Sequence, residues 1–140
     1  MIIDVSHYQR SIDWKEVGKI IDYAILRCGY GGNVKSQDDK EFAYNANKCE
    51  KYGIPYAVYL YSYAKNISNV ESEIRHVLRM IRNHKVVLPI YYDIEEQYIC
   101  NNYPVEQFAC QFVKAIRDNG YKAGIYSGNY LFNTYLKGVE

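Results

Sequence analysis

The chain has 140 residues, of which 49% are hydrophobic and 24% are charged, and its formal net charge is +1. This length indicates a single domain, and the apolar content is sufficient for a packed core, which excludes a disordered chain. A charge so close to zero gives no support to a nucleic-acid-binding surface.

Apolar runs and helix-like segments alternate along the chain. The runs predicted as strands are 2–5, 23–28, 55–61, 86–94 and 123–126. The segments predicted as helices are 12–21, 40–51, 69–83, 104–119 and 129–137. Ser11 is the predicted N-cap of the first helix, and Gly53 and Gly120 are expected to end the second and fourth. The alternation predicts an α/β fold with a parallel sheet covered by helices, either doubly wound or barrel-like.

The positions of the polar residues favour the barrel. Polar side chains follow or end every predicted strand: Asp4 and Ser6, Arg27, Tyr61 and Tyr63, Asp93 and Glu95, Tyr126 and Ser127. In a parallel barrel, this rim carries the chemistry. A doubly wound sheet would concentrate its polar groups at one crossover instead.

Two acids, Asp93 and Glu95, stand two residues apart at the end of a strand that reads as buried. Strand side chains alternate, so both point to one face, where unused carboxylates would be costly. With Asp4 as a third acid, mutual repulsion would raise at least one pKa, as glycosidic-bond cleavage requires. Two alternatives remain open: Glu95 or Glu96 caps a loop while Asp93 pairs with Arg27, or the three acids hold Mg²⁺.

The remaining polar residues have simpler interpretations. Arg27 is predicted to pair with one of the three acids, and Asp38 or Asp39 to cap the following helix. His7 has no second triad member near it in sequence, which favours a hydrogen-bonding role over catalysis. The 17 tyrosines suit either core packing or carbohydrate rings.

The cysteines do not form a recognisable site. The chain has four of them: Cys28, Cys49, Cys100 and Cys110. No C-x-x-C pair and no metal-ligand spacing with a histidine occurs, so we expect free thiols and no metal or other cofactor.

Six segments, taken in order, resemble glycoside hydrolase family 25, the Chalaropsis-type lysozymes. They are Asp4-Val-Ser-His-Tyr-Gln9 with Ile12-Asp13-Trp14, Tyr23-Ala-Ile-Leu-Arg27-Cys-Gly-Tyr30, Asp39-x-x-Phe42-x-x-Asn45, Gly53-Ile-Pro55 through Tyr59-Leu-Tyr61-Ser-Tyr-Ala64, Leu88-Pro89-Ile90 through Asp93-Ile-Glu95, and Gly124-Ile-Tyr126-Ser127. Each segment is loose alone, but their common order is specific. The resemblance implies an irregular TIM-barrel-like fold.

The resemblance also implies an activity and its residues. It implies an N-acetylmuramidase that cleaves the β-1,4 bond between N-acetylmuramic acid and N-acetylglucosamine in bacterial peptidoglycan. Glu95 would be the general acid, with Asp93 and Asp4 as nucleophile or as stabilisers of the oxocarbenium-like centre. The implied substrate-binding residues are Tyr61, Tyr126, Arg27, Gln9, Asp39 and Tyr59.

The family's domain continues for several tens of residues beyond the matching segments. We therefore expect residues 1–140 to form one catalytic domain with an incomplete barrel of about five parallel strands, which a second copy could complete in a homodimer. A truncated remnant, inactive or binding peptidoglycan weakly, is the alternative. The N-terminus lacks signal-peptide features and no segment reads as a membrane span, which predicts synthesis in the cytoplasm and release to the cell wall by another agent, as in phages.

Overall fold

Five parallel strands form one sheet in the computed structural model, which describes residues 1–139. The strands are β1 (Ile2–Val5), β2 (Tyr23–Tyr30), β3 (Tyr56–Tyr61), β4 (Ile90–Asp93) and β5 (Ala123–Tyr126). Each strand pairs with the next one along the chain, in the order β1-β2-β3-β4-β5. A doubly wound sheet reverses its strand order at a crossover, so this sequential order is that of a barrel. Within the described residues the sheet is open, because β1 and β5 do not pair with each other.

Within residues 1–139, six helices follow or connect the strands. They are α1 (Trp14–Val17), α2 (Phe42–Lys51), α3 (Ile67–Ile81), α4 (Gln97–Asn102), α5 (Val105–Asp118) and α6 (Asn129–Tyr135). Short 3-10 turns occupy His7–Gln9 and Lys35–Gln37. The predicted ends of α2 and α5 are confirmed, because Gly53 and Gly120 follow them with φ of 68° and 89°, which glycine tolerates best. None of the helices in residues 1–139 combines the length and apolar character that crossing a bilayer requires.

Two predicted elements are shorter than expected and one helix was not predicted, each for a local reason. The first helix covers only Trp14–Val17, because Asp13 rather than Ser11 caps it, accepting the Glu16 N–H at 3.3 Å. Strand β4 begins after Pro89, which has no N–H to give to a sheet. The short helix α4 was not predicted, since six residues are too few to show a helical period.

The two faces of the sheet have different environments. Alternate strand residues such as Leu26, Val58 and Ile90 are fully buried in the hydrophobic core, to which α2, α3 and α5 contribute. The opposite set, paired across neighbouring strands, forms what we call the open face: Asp4, Arg27, Tyr59, Tyr61, Tyr91, Asp93 and Tyr126. Polar and aromatic side chains from all five strands therefore meet on one side. All four cysteines are free, and only Cys110 is exposed.

Candidate functional site

Asp93 is the buried acid of the open face. It lies in register between Tyr61 of β3 and Tyr126 of β5, with only 6% of its surface exposed. Its Oδ1 atom has no hydrogen-bond partner within the described residues. A buried carboxylate oxygen without a hydrogen-bond donor lowers the stability of the fold. Asp93 is therefore a candidate functional residue.

The environment of Asp93 favours a protonated carboxyl. Burial raises its pKa from 3.8 to about 8, and the neighbouring charges of Glu95 and then Asp4 act in the same direction. Two carboxyl groups that interact this closely titrate as a unit. Asp93 is therefore protonated at neutral pH, and a protonated carboxyl group is what an acid-catalysed bond cleavage needs.

Asp4 supplies a third acid from the edge strand β1. Burial of its carboxyl group raises the pKa, although a hydrogen bond from Tyr59 and the charge of Arg27 oppose that shift. Tyr59 lies two strands away on the same face, and burial and the Asp4 charge raise its own pKa in turn. Tyr59 thus remains a hydroxyl donor between two acids.

Glu95 and Glu96 follow β4 and are both half-buried. Glu96 is the N-cap residue of α4, but its side chain makes no capping bond. It accepts a hydrogen bond of 3.0 Å from the Tyr61 hydroxyl instead. The alternative in which Glu96 caps a loop through its side chain is therefore wrong, and the residue orients an aromatic ring of the site.

Arg27 does not pair with any of the three acids, contrary to prediction. Its Nε donates to Asp39 at 3.0 Å, and the Asp39 side chain is completely buried. Asp39 reaches this position because its own N–H bonds to the Cys28 carbonyl at 2.9 Å, which lays the loop back along β2. It also accepts the His7 N–H at 2.9 Å, and His7 Nδ1 contacts Arg27. Asp39 thus orients Arg27.

The predicted cap of α2 is also corrected. Glu41 occupies the N-cap position without a side-chain bond, while Asp39 accepts the Glu41 N–H at 2.9 Å from just before the helix. Asp38 turns away and binds Arg79, at 2.9 and 2.5 Å, and His76 at 2.8 Å. Asp38 therefore binds side chains that are distant in the sequence, Arg79 and His76, rather than the N-terminus of α2.

Two adjoining cavities lie along the open face. One has a volume of about 670 Å³ and the other about 170 Å³. The larger is lined by Ser6, His7, Tyr8, Arg27, Tyr30, Tyr59, Tyr61, Tyr63 and Asp93, and the smaller by Asp4, Ile25, Tyr59, Tyr91, Asp93 and Tyr126. Tyr59 and Asp93 line both cavities, so Asp93 stands where the two meet, while Asp4 lines only the smaller one. Their tyrosine walls offer flat apolar faces with hydroxyl groups.

The Arg27 guanidinium lies between two tyrosine rings of the larger cavity. Its central carbon is 5.3 Å from the ring centroid of Tyr8 and 5.9 Å from that of Tyr30, within cation–π range. These contacts and the Asp39 ion pair hold the guanidinium in one orientation at the cavity wall.

Six of the nine predicted site residues meet on the open face, and three do not. Glu95 lies beyond the end of β4 and lines neither cavity. Gln9 lines neither cavity, because its side chain accepts the Ser6 N–H at 2.8 Å. Asp39 also lines neither cavity, and it orients Arg27 through the bond to Nε. Sequence reasoning missed three tyrosines that line the cavities, Tyr8, Tyr30 and Tyr91, and it placed Tyr63 on the rim without a substrate-binding role. Two-residue spacing could have found Tyr63 and Tyr91, which continue the alternation from Tyr61 and Asp93.

The magnesium alternative has no geometric support. Across the part of the chain that the structure describes, no three His, Cys, Asp or Glu side chains are grouped so as to hold a metal ion.

Comparison with known proteins relates the chain to glycan-cleaving enzymes. The model of glycosyl hydrolases family 25 matches residues 3–139. The modular autolysin LytC from Streptococcus pneumoniae is 32% identical over 97% of this chain, with a TM-score of 0.82, and this chain covers 34% of it. LytC has also been solved in complex with a synthetic peptidoglycan ligand. No curated protein matches the chain.

Two further solved structures share the fold. The catalytic domain of endolysin ply40 from bacteriophage P40 of Listeria monocytogenes has a TM-score of 0.87 at 18% identity, over 99% of this chain and 68% of that one. A family 25 glycosyl hydrolase from Bacillus anthracis has a TM-score of 0.78 at 22% identity, over 98% and 64% respectively. The chain thus spans about a third of LytC and about two thirds of the other two.

Proposed function

Because the chain belongs to glycosyl hydrolase family 25, we propose that it is a lysozyme that hydrolyses the β-1,4 bond between N-acetylmuramic acid and N-acetylglucosamine in bacterial peptidoglycan. The family match confirms the resemblance of the six sequence segments. The observation that carries the proposal is the buried Asp93 carboxyl group, which lies between two tyrosine-lined cavities and has an oxygen without a partner in the described residues. Glu95 follows it two residues later in the chain. Glycosidic-bond cleavage uses such a pair of carboxyl groups in opposite protonation states.

In this proposal the three acids have different roles. The proton that burial favours on Asp93 passes to Glu95, the less buried of the two, which transfers it to the glycosidic oxygen as the bond breaks and leaves Asp93 ionised. Asp93 and Asp4 are then ionised and stabilise the positive charge that develops at the anomeric carbon, either covalently or by charge alone. Water completes the hydrolysis.

The sugar rings are bound by the aromatic walls. Tyr61 and Tyr126 flank Asp93 in register, and Tyr59 lies at the junction of the two cavities. Arg27, oriented by Asp39, provides a fixed donor group in the larger cavity. Gln9 supports this wall indirectly, by holding the turn that carries Tyr8.

The proposal predicts a defined product. Purified chain incubated with peptidoglycan should release glycan fragments whose reducing ends are N-acetylmuramic acid. After borohydride reduction and acid hydrolysis these ends appear as muramitol, and a suspension of cell walls loses turbidity in parallel. New reducing ends on glucosamine, or none at all, would contradict the proposal.

A second candidate function is peptidoglycan binding without cleavage. The exposure of Asp4 and Tyr126 on the two outer strands favours it, because water beside an acid weakens electrostatic stabilisation of the reacting sugar. In this case the chain would sediment with cell walls but release no reducing ends. The same incubation therefore separates the two functions.

A second copy of the chain is the partner that we propose for the open sheet. Within residues 1–139, β1 and β5 each have one hydrogen-bonded neighbour, which leaves a free edge on each side. Free edges pair readily with other strands. The expected solution mass is twice the 16.4 kDa of one chain, measured by light scattering. A mass of one chain at micromolar concentration would contradict the dimer. The proposed place of action is the cell wall, reached after release by another agent.

A further inference from the structure

A glutamate is buried behind the sheet, away from the acids of the open face. Glu73 lies on α3 and is only 1% exposed. It stands three residues after Val70 and four before Val77, on the stripe of α3 that faces the core. Burial raises the pKa of Glu73 even though several hydrogen bonds oppose that shift. An apolar residue at this position would avoid that cost.

The hydrogen bonds of Glu73 all go to the ends of two neighbouring strands. Its Oε1 accepts the Ser62 hydroxyl at 2.7 Å and also the Tyr92 hydroxyl, while its Oε2 accepts the Tyr63 N–H at 2.9 Å. Ser62 and Tyr63 directly follow β3, and Tyr92 directly precedes Asp93 in β4. One carboxylate thus connects the segment with Tyr63 to the strand with the buried acid.

Two further contacts make this connection rigid. The Tyr92 ring stacks on Phe112 of α5, with centroids 4.1 Å apart and planes 7° from parallel, which fixes the direction of its hydroxyl. The Ser62 N–H donates to the Asp93 carbonyl at 2.9 Å. Movement of either strand end would therefore break a bond of Glu73.

The segment that Glu73 holds carries part of the larger cavity's wall. The rings of Tyr61 and Tyr63 have centroids 5.1 Å apart, and Tyr63 meets Tyr30 edge-on at 6.0 Å. Tyr63 is 44% exposed, so its position depends on its backbone rather than on packing of its ring. The backbone N–H of Tyr63 is the group that Glu73 binds.

We propose that Glu73 is a positioning residue, which from behind the sheet fixes the tyrosine wall at the end of β3 relative to Asp93 at the end of β4. The consequence for catalysis rests on the proposed function, whereas the consequence for backbone order does not. Glu73 touches no substrate, and it acts through Tyr63 and Tyr92.

Replacement of Glu73 by Gln tests the backbone part. Gln keeps the shape but not the two acceptor oxygens. Its NH₂ group either faces the Tyr63 N–H or turns to the Ser62 and Tyr92 hydroxyls, which must then change from donors to acceptors. We expect amide hydrogen exchange at Ser62 and Tyr63 to become at least tenfold faster relative to the amides of β2. Unchanged relative rates at both positions would overturn the proposal, whatever the enzymatic result.

A matched control distinguishes positioning from general stability. Asn45 of α2 accepts a buried hydrogen bond of 2.9 Å from Trp14 Nε1, and neither residue lines the two cavities of the open face. Asn45→Ala should lower the denaturation midpoint while leaving the relative exchange rates of Ser62 and Tyr63 as in the wild type. Local acceleration of those two amides in Asn45→Ala would show that they report on stability only, and would overturn the proposal.

A second variant serves if Glu73→Gln does not fold. Tyr92→Phe removes the hydrogen bond between Glu73 and β4 and leaves the bonds from Ser62 and Tyr63, after β3, in place. The Ser62 amide, whose acceptor is the Asp93 carbonyl, should then exchange at least threefold faster, while the Tyr63 amide keeps its rate. No change at Ser62 contradicts the connection between the two strands.

The catalytic part is measured at a temperature where every variant is fully folded. Glu73→Gln should raise the KM for soluble peptidoglycan fragments at least threefold and lower kcat, whereas Asn45→Ala should change neither. Wild-type kinetics in Glu73→Gln would overturn the catalytic part of the proposal. An inactive wild type would instead contradict the proposed function, and the exchange measurement would still decide the positioning role.

Discussion

Replacement of Glu95 by Gln is expected to slow peptidoglycan cleavage by about 10²- to 10⁴-fold, the usual contribution of a general acid. Gln has the size of Glu but carries no transferable proton. The side chain is half-buried at the end of β4, so the fold should be retained. The measurement is the rate of release of muramic acid reducing ends, with circular dichroism as a check of folding.

Glu71→Gln is the matched control for this variant. Glu71 is an exposed acid on α3, and it lines neither cavity. It should keep the wild-type rate. If Glu95→Gln kept more than about a tenth of the wild-type rate, which is outside the usual effect of losing a general acid, proton transfer would have to be assigned to Asp93.

Replacement of Asp93 by Asn is expected to abolish cleavage and to stabilise the folded protein above neutral pH. The folded-state pKa of Asp93 is about 8, compared with an ordinary value of 3.8. A raised pKa means that the protonated carboxyl's favourable contribution is fully present below about pH 4 and is lost as the pH rises through about 8. Asn does not titrate, so it avoids burying this charge.

The difference in free energy of unfolding between Asp93→Asn and the wild type should therefore increase between pH 4 and 8. It should level off above this range at a value on the order of a few kcal/mol. Urea unfolding at pH 5 and pH 9 measures it. A variant less stable than the wild type at pH 9 would contradict the unfavourable burial of the Asp93 carboxylate.

The two variants separate the roles of the paired acids. Both should lose activity, but only Asp93→Asn should gain stability at alkaline pH. Of the two acids, Asp93 is the buried one, and its Oδ1 has no hydrogen-bond partner within residues 1–139. Stability given up at a catalytic position is a common feature of enzymes. The destabilising contribution at Asp93 is the burial of its carboxylate charge, and the packing of the surrounding core compensates for it.

Local periodicity explains which elements were predictable. The strands at Ile2–Val5 and Ala123–Tyr126 have the predicted bounds, and the spacing of Val70, Ile74 and Val77 correctly indicated α3. Proline and short polar residues moved the boundaries elsewhere, as at Pro89 and Asp13. These errors are local, and they left the order of the elements unchanged.

Partner choice explains which parts of the site were missed. Arg27 was expected to pair with an acid at a strand end, and it pairs with Asp39, which the loop after β2 brings alongside. Glu73 interrupts an apolar stripe, a visible signal, but its partners lie on β4 and just after β3. A hydrogen bond between such distant residues depends on strand register and helix packing, which no local pattern encodes.

Strand β4 ends at Asp93, so strand alternation does not place Glu95 on the same face. Periodicity in the sequence was sufficient for the alternation of strands and helices and for the polar rim at the strand ends. Each of these follows from a period of two in strands or three to four in helices, so neighbours along the chain are sufficient to show it. Only the tertiary structure decided the raised pKa of Asp93, the partner of Arg27, the cavity walls and the link through Glu73. Desolvation and hydrogen bonding depend on which distant residues surround a group, and the packing of the sheet against its helices determines that.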